Sequence, residues 1–361
     1  MTPLANTPRA DGYRMPGEFE AHARCWMAWP ERPDNWRNAA APAQHAFAAV
    51  AAAIARFEPV TVCASPTQMA NARAQLPPHI AVAQVPADDS WMRDIGPTFV
   101  VDDRGAGRGV DWQFNAWGGL YSPCEQDKQM ARRVLTLAGA ERYECGMVME
   151  GGAIHADGEG TLLTTEECLL NPNRNPGLSR EQTEGTLRDY TGAEKIVWLG
   201  PGLYMDRDTG GHVDNLCCFV RPGHVALAWT DDPTDPQRPI SLDAFNRLSA
   251  ATDARGRRLT VHKVPMPHPQ TIRADEVQRP EGGGLHPNRG AGGRMAASYV
   301  NFYIANGGIV MPGFGDPQDE PARQAIQSLF PEREVVQVYS REILLGGGNI
   351  HCTTQQQPLF R

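Results

Sequence analysis

One segment of this chain is written twice. Met149-Glu150-Gly151-Gly152-Ala153-Ile154-His155-Ala156 aligns with Leu345-Gly346-Gly347-Gly348-Asn349-Ile350-His351-Cys352, the two sharing Gly-Gly-x-Ile-His. The order of elements around these segments repeats as well. Cys25 to Pro30, Val60 to Ala64 and Ile80 to Val85 read as strands around an Ala-rich helical stretch from Ala41 to Phe57. Thr98 to Val101 and Val110 to Phe114 follow, with a helix-like segment from Glu125 to Ala138. The third copy has Gly160 to Thr164, a helix from Ser179 to Tyr190 whose capping serine is followed three residues later by Gln182, and Lys195 to Leu199. The fourth runs Val213 to Val220, Val225 to Trp229, a helix around Leu242 to Ala251, and Arg258 to Val264. The fifth is Ser298 to Ala305, Gly308 to Pro312, a helix from Pro317 to Phe330, and Glu334 to Tyr339.

Five strand-strand-helix-strand units at a spacing of roughly 50–70 residues constrain the fold severely, because one such unit cannot bury its own apolar face. Closed around a pseudo-axis, they predict a five-bladed α/β propeller, a single domain over residues 1–361 with Gly-rich strand ends at its centre. Two doubly wound domains are the alternative, but no G-x-G-x-x-G opens a helix here. Pro267 to Arg294 escapes the repeat: rich in Pro, Gly, His and Arg, it fits either a lid over a site or a solvated insertion.

The chemistry concentrates at the end of the second copy of the motif. Three glycines after the apolar run Ile343-Leu344-Leu345, read as a strand, bring backbone close to another group, and Cys352 just beyond them is a candidate nucleophile. Three further motifs stand at strand-to-loop junctions of different units: Ser90-Trp91-Met92-Arg93-Asp94, Met149-Glu150-Gly151-Gly152, and Gly210-Gly211-His212-Val213-Asp214-Asn215. Each alone is compatible with a turn aspartate or a structural histidine. Together, a cysteine, a histidine and three carboxylates suit a cation with a planar, multi-donor head. A guanidinium offers five N–H donors in a fixed fork, and flanking carboxylates fix the plane of its carbon. Cys352 then attacks perpendicular to that plane, with the bound cation helping to form its thiolate. His212 protonates departing ammonia and afterwards deprotonates the hydrolytic water, while Glu150 orients His212 and shares the guanidinium.

These residues sit in long stretches that together resemble the agmatine deiminases, of the guanidine-modifying or pentein superfamily and the branch related to bacterial peptidylarginine deiminases. The stretches are MPGEFE at residues 15–20, WPERPDNWR at 29–37, DSWMRDIGPTFV at 89–100, FNAWGGLY at 114–121, EGGAIHADGEGTLLTTEECLLNPNRNP at 150–176, GGHVDN at 210–215, SYVNFYIANGGIVMP at 298–312 and GGGNIHCTTQQQP at 346–358. The resemblance implies a five-bladed α/β propeller and hydrolysis of agmatine to N-carbamoylputrescine and ammonia, in putrescine biosynthesis or agmatine catabolism. It implies Cys352 as the amidino-cysteine nucleophile, His212 as acid and base with Glu150 its partner, and Asp94 and Asp214 as the guanidinium grip. Trp91 resembles a residue packing on the substrate, and Asp208 keeps the spacing of an acidic residue for the substrate's far end. Two positions depart from the family's pattern: Gly210, often Asp or Asn, and Ala153, often Ser.

Several other classes fit poorly. A net charge of −8 argues against nucleic acid and anionic membranes. The polar, Pro-rich Met1 to Glu20 has no signal-peptide core, and Ala46 to Ala55 is too short to span a bilayer, so a cytoplasmic location is expected. Eight cysteines include no Cys-x-x-Cys pair and predict reduced thiols; no metal or other cofactor is expected. A papain-like hydrolase would carry its cysteine near the mature amino terminus, and a zinc deaminase would need a second Cys after Cys124. Two alternatives stay open: a deiminase or dihydrolase of arginine or methylated arginine, with Arg93, Arg207 or Arg289 as the carboxylate clamp, and a propeller binding module without catalysis. Association into a homo-oligomer is open too.

Overall fold

The computed structural model describes residues 2–277 and 289–360. Its strands form five separate small sheets. In each, a first strand runs antiparallel to a second, which runs parallel to a third reached through a helix. Cys217–Arg221, His224–Trp229 and Thr260–Pro265 show the pattern, with the helix Gln237–Ala250 as the crossover. Ile154–Ala156, Thr161–Thr165 and Lys195–Leu199 repeat it. So do Tyr303–Ile304, Gly308–Gly313 and Glu334–Tyr339. In the sheet of Thr98–Asp102, Gly107–Gln113 and Glu141–Val148, Tyr13–Arg14 is added at the edge. The chain is a five-bladed α/β propeller of the pentein type.

Ring closure explains an irregularity in the sequence. The unit beginning near Cys25 has parallel strands His22–Ala28, Val60–Ala64 and Ala81–Gln84 but no antiparallel first strand before them. That strand is supplied by the opposite end of the chain: Thr354–Pro358 lies antiparallel to His22–Ala28, Thr354 opposite Met27 and Gln356 opposite Cys25. The last strand therefore covers an edge and closes the ring. It also fixes Cys352, two residues upstream, at the centre.

Local chemistry accounts for the blade helices. Arg180–Thr191 starts with a full capping box, the Ser179 hydroxyl accepting from the Gln182 N–H while the Gln182 side chain accepts from the Ser179 N–H. Ala41–Ile54 is built from Ala, the best helix former, with proline in its first turn. Helices also tie neighbouring blades together: Asp319–Leu329 packs on Thr260–Pro265 of the preceding blade, and Gln237–Ala250 on Lys195–Leu199. All five residues of Val60–Ala64 are buried, as expected for a strand covered on both faces.

Three expected strands are corrected. Ile343-Leu344-Leu345 belongs to the short helix Arg341–Leu345, so Cys352 follows a helix and a glycine turn rather than a strand. Three apolar residues carry no period, and their backbone bonds are satisfied within the helix and the Ser340 turn. Val213 to Val220 divides into a helical turn, Val213–Leu216, and the strand Cys217–Arg221. Of Ser298 to Ala305 only Tyr303–Ile304 pairs as a strand. The expected lid or insertion, Pro267 to Arg294, includes residues 278–288, which lie outside the described residues.

Candidate active site

A short turn precedes the first strand of every blade, and Asp94, Glu150, His212, Asp214 and Cys352 of the predicted site residues stand in or cap these turns. Asp94 lies in Met92–Ile95, Glu150 caps Gly151–Ala153, His212 caps Val213–Leu216 with Asp214 inside it, and Cys352 lies in the 3₁₀ turn His351–Thr353. The fifth blade adds Asn301, just before Tyr303–Ile304, whose Nδ2 lies 3.3 Å from the Cys352 sulfur. Pseudo-symmetry thus turns one structural position, used five times, into one convergent site.

At the centre every group is buried. Cys352 is 2 % exposed and His212 0 %, so the candidate nucleophile is a buried thiol. The Asp214 Oδ2 is 3.6 Å from the Cys352 Sγ. His212 sits between carboxylates, its Nδ1 3.8 Å from the Asp94 Oδ1 and its Nε2 3.9 Å from the Glu150 Oε2. Glu150 and Asp214 are each held by one oxygen, and Asp94 by both. Asp94 accepts from the Trp117 Nε1 at 2.9 Å and from the Gly152 N–H at 3.0 Å. Glu150 accepts from the Arg174 Nε at 2.8 Å, and Asp214 is paired with the His351 Nδ1 at 2.9 Å. The second oxygens of Glu150 and Asp214, and both ring nitrogens of His212, have no hydrogen-bond partner among the described residues. Buried polar atoms left open in this way mark the place of a polar ligand.

Two glycines make the convergence sterically feasible. A Cβ on Gly152 would stand 2.6 Å from the His212 Nδ1 and 2.9 Å from the Asp214 Oδ2; one on Gly348 would stand 2.6 Å from the Trp91 ring. Trp91 in turn packs on Trp36, ring centroids 5.3 Å apart. A narrow cleft leads to Cys352, lined by Trp91, Asp94, Trp117, Tyr121 and Asp208 among others.

The charge states follow from this packing. Burial pushes the Cys352 thiol well above its ordinary range and the nearby Asp214 and Asp94 carboxylates push it further, so Cys352 is held as a thiol. Burial pulls His212 down, but Asp94, Cys168 and Glu150 outweigh it and hold the imidazole well above its usual value, protonated at neutral pH. Burial raises Asp94, with Asp214 and Glu150 adding to the effect against His212. Glu150 and Asp214 are lowered despite burial, Glu150 by Arg174 and His212, Asp214 by His351 and His212.

A sequence model described as Porphyromonas-type peptidyl-arginine deiminase matches residues 14–358. The chain belongs to that family. It is 56 % identical to an agmatine deiminase of Ectopseudomonas mendocina over 99 % of both chains. Against an agmatine deiminase of Pseudomonas aeruginosa the identity is 57 % over the full length of both. A solved agmatine deiminase of Enterococcus faecalis superposes with a TM-score of 0.95 at 46 % identity, covering 99 % of each chain.

In this member of the peptidyl-arginine deiminase family, the geometry brings Cys352, His212, Glu150, Asp94 and Asp214 together and sets Trp91 and Asp208 along the cleft. Asp208 is engaged by the Arg289 Nη2 at 3.4 Å. Motif reading missed Asn301, Arg174, Trp117, Glu18 and His351. Arg174 and Trp117 lay in stretches that resembled the family but carried no spacing signal, since their partners are on other blades. His351 had a signal, its place in the repeated Gly-Gly-x-Ile-His.

Proposed function

We propose that the chain hydrolyses agmatine to N-carbamoylputrescine and ammonia through an amidino-thioether on Cys352, in polyamine metabolism. The observation that carries this reading is the set of open buried atoms around the thiol: the Asp214 Oδ1, the Glu150 Oε2 and the two His212 nitrogens. They are what a guanidinium and its departing ammonia require, acceptors for N–H donors and an acid for the leaving group.

The bound cation lowers the Cys352 thiol, which gives its proton to solvent because His212 already carries one, and the thiolate attacks the guanidinium carbon, forming a neutral tetrahedral adduct. Protonated His212 gives its proton to one NH₂ group, the C–N bond breaks, and ammonia leaves a cationic amidino-thioether. Neutral His212 then takes a proton from water as the oxygen adds to the same carbon. Collapse of this second adduct breaks the C–S bond, releasing the ureido product and restoring cysteine. Asp94, Asp214 and Glu150 keep the carbon in place throughout, and the orientation itself lowers the barrier.

The agmatine names of the relatives favour a substrate without an α-carboxylate. The state of two of the candidate clamps, Arg93 and Arg289, supports the same choice. Arg93 lies beneath the site with its Nη1 on Glu18 at 3.1 Å. The Arg289 guanidinium donates to the Asn35 Oδ1, the Tyr121 hydroxyl and the Gly346 carbonyl. Agmatine and arginine assayed side by side, for ammonia and for the ureido product, test the proposal. Turnover of agmatine alone is expected. Preference for arginine would replace the substrate, and no ammonia from either would favour a binding module.

A further inference from the structure

Directly before the nucleophile stands a histidine with two carboxylate neighbours. The His351 Nδ1 lies 2.9 Å from the Asp214 Oδ2, and its Nε2 lies 2.9 Å from both oxygens of Glu18. A neutral imidazole has one N–H and cannot serve both partners, whereas the imidazolium donates from both nitrogens. All three groups are buried. Burial and Arg93 pull the His351 proton off, but Glu18 and Asp214 outweigh them and raise the ring above its usual value.

We infer that His351 is a positioning residue for the proposed reaction: as an imidazolium braced on Glu18, it fixes the plane and the negative charge of Asp214, the carboxylate beside Cys352. This rests on the reading of Asp214 as part of a guanidinium grip. With its Oδ2 tied to His351, Asp214 presents its Oδ1 in one orientation. The same Oδ2 stands 3.6 Å from the Cys352 sulfur, so without that bond the carboxylate is free to turn about its last torsion and the place of both oxygens relative to the thiol is lost.

The surroundings hold the ring still. His351 stacks on His155, its counterpart in the repeated motif, with centroids 6.0 Å and planes 29° apart. The His155 Nδ1 accepts the Phe219 N–H, which puts the His155 proton on Nε2, 3.6 Å from Glu18. Glu18, His155 and His351 offer ligand atoms within 4.8 Å of one another. In these protonation states neither imidazole has a lone pair directed at a metal between them, so the trio works as an ion network. The titratable and charged groups facing His351 are Glu18, Arg93, His155 and Asp214, with Cys352 next along the chain.

Two substitutions separate positioning from space-filling. Asn places an N–H near the imidazole Nδ1 and keeps the bond to Asp214; Gln reaches the Nε2 position and keeps Glu18 instead. H351Q is expected to lose roughly 10²-fold in kcat/KM on agmatine, spread over kcat and KM, because the grip shifts relative to the nucleophile. H351N should retain about tenfold more than H351Q, the ratio for about 1.4 kcal/mol. Both remove the positive ring, so burial then raises Asp214 as it raises Asp94, and the acid limb of kcat/KM, set by Asp94 alone in the unmodified protein, should move to higher pH as Asp214 joins it. Equal losses in the two variants, or an acid limb unmoved in both, would overturn the proposal. Should neither variant fold, E18Q decides: His351 then sheds its proton at lower pH, and the alkaline limb should move down, whereas an unchanged profile overturns it. If agmatine is not the substrate, the unmodified protein itself fails to turn it over, which distinguishes that failure from this one.

Discussion

The Glu150 Oε2 lies 3.9 Å from the His212 Nε2, and neither atom has a hydrogen-bond partner among the described residues. The gap exceeds a hydrogen bond, and both groups carry charge at neutral pH. An amino group bound between them would accept a proton from His212 while its remaining hydrogens face Glu150. An acid already protonated beside the leaving nitrogen needs no delivery step once substrate arrives.

Cys352→Ala should abolish turnover while the protein stays folded. The side chain is buried, so a cost of about 1 kcal/mol is expected from lost packing. Mass spectrometry of the unmodified protein quenched with agmatine should place the adduct on Cys352. An adduct on Cys168, the other thiol grouped with His212, would move the nucleophile.

Asp94→Asn and Asp214→Asn should each reduce kcat/KM on agmatine by roughly 10²–10³-fold or more. Breaking one partner of a buried charge pair costs on the order of 3–5 kcal/mol. Since the same groups hold the carbon for attack, kcat should fall along with the rise in KM. Steady-state kinetics, with folding checked by circular dichroism, measure this. A near-unchanged kcat/KM in either variant removes that carboxylate from the grip.

Gly152→Ala tests the convergence itself. Its Cβ would stand 2.6 Å from the His212 Nδ1, 2.9 Å from the Asp214 Oδ2 and 3.0 Å from the Asp94 Oδ1, so three site groups must move for one methyl. A folded protein with kcat/KM lower by roughly 10²-fold is expected. Activity close to that of the unmodified chain would show that the site tolerates displacement.

The pH dependence has a definite sign on each side. Asp94 must be ionised to grip a guanidinium, and burial raises its carboxyl, so kcat/KM should fall as pH drops through a value above the ordinary ~3.9. His212 must be protonated to release ammonia, and its raised value carries activity above the ordinary ~6.5 before the alkaline limb begins. Bound substrate stabilises ionised Asp94, so the acid limb of kcat should lie below that of kcat/KM. A kcat/KM maximum confined below pH 6 would contradict the His212 assignment, and an acid limb at or below the ordinary carboxylate value would contradict that of Asp94.

The sequence by itself determined the units and the ingredients. Local order and apolar period gave five strand-helix units, and His155 and His351 betrayed their repetition by standing in the same motif. Cysteine, histidine and carboxylates at junctions pointed to cation chemistry because those side chains carry that chemistry wherever they stand. Tertiary structure decided what depends on distance between blades. The pairing of Thr354–Pro358 with His22–Ala28, the contact of Asn301 with Cys352, and the seat of His351 between Glu18 and Asp214 all join residues remote along the chain. It also decided that the Cys352 thiol is buried and that Ile343-Leu344-Leu345 is helical. Periodicity reports which face of a local element is apolar, and it is silent about which other element covers that face. Protonation at the centre is a sum over charges contributed by different blades, so it exists only once the ring has closed.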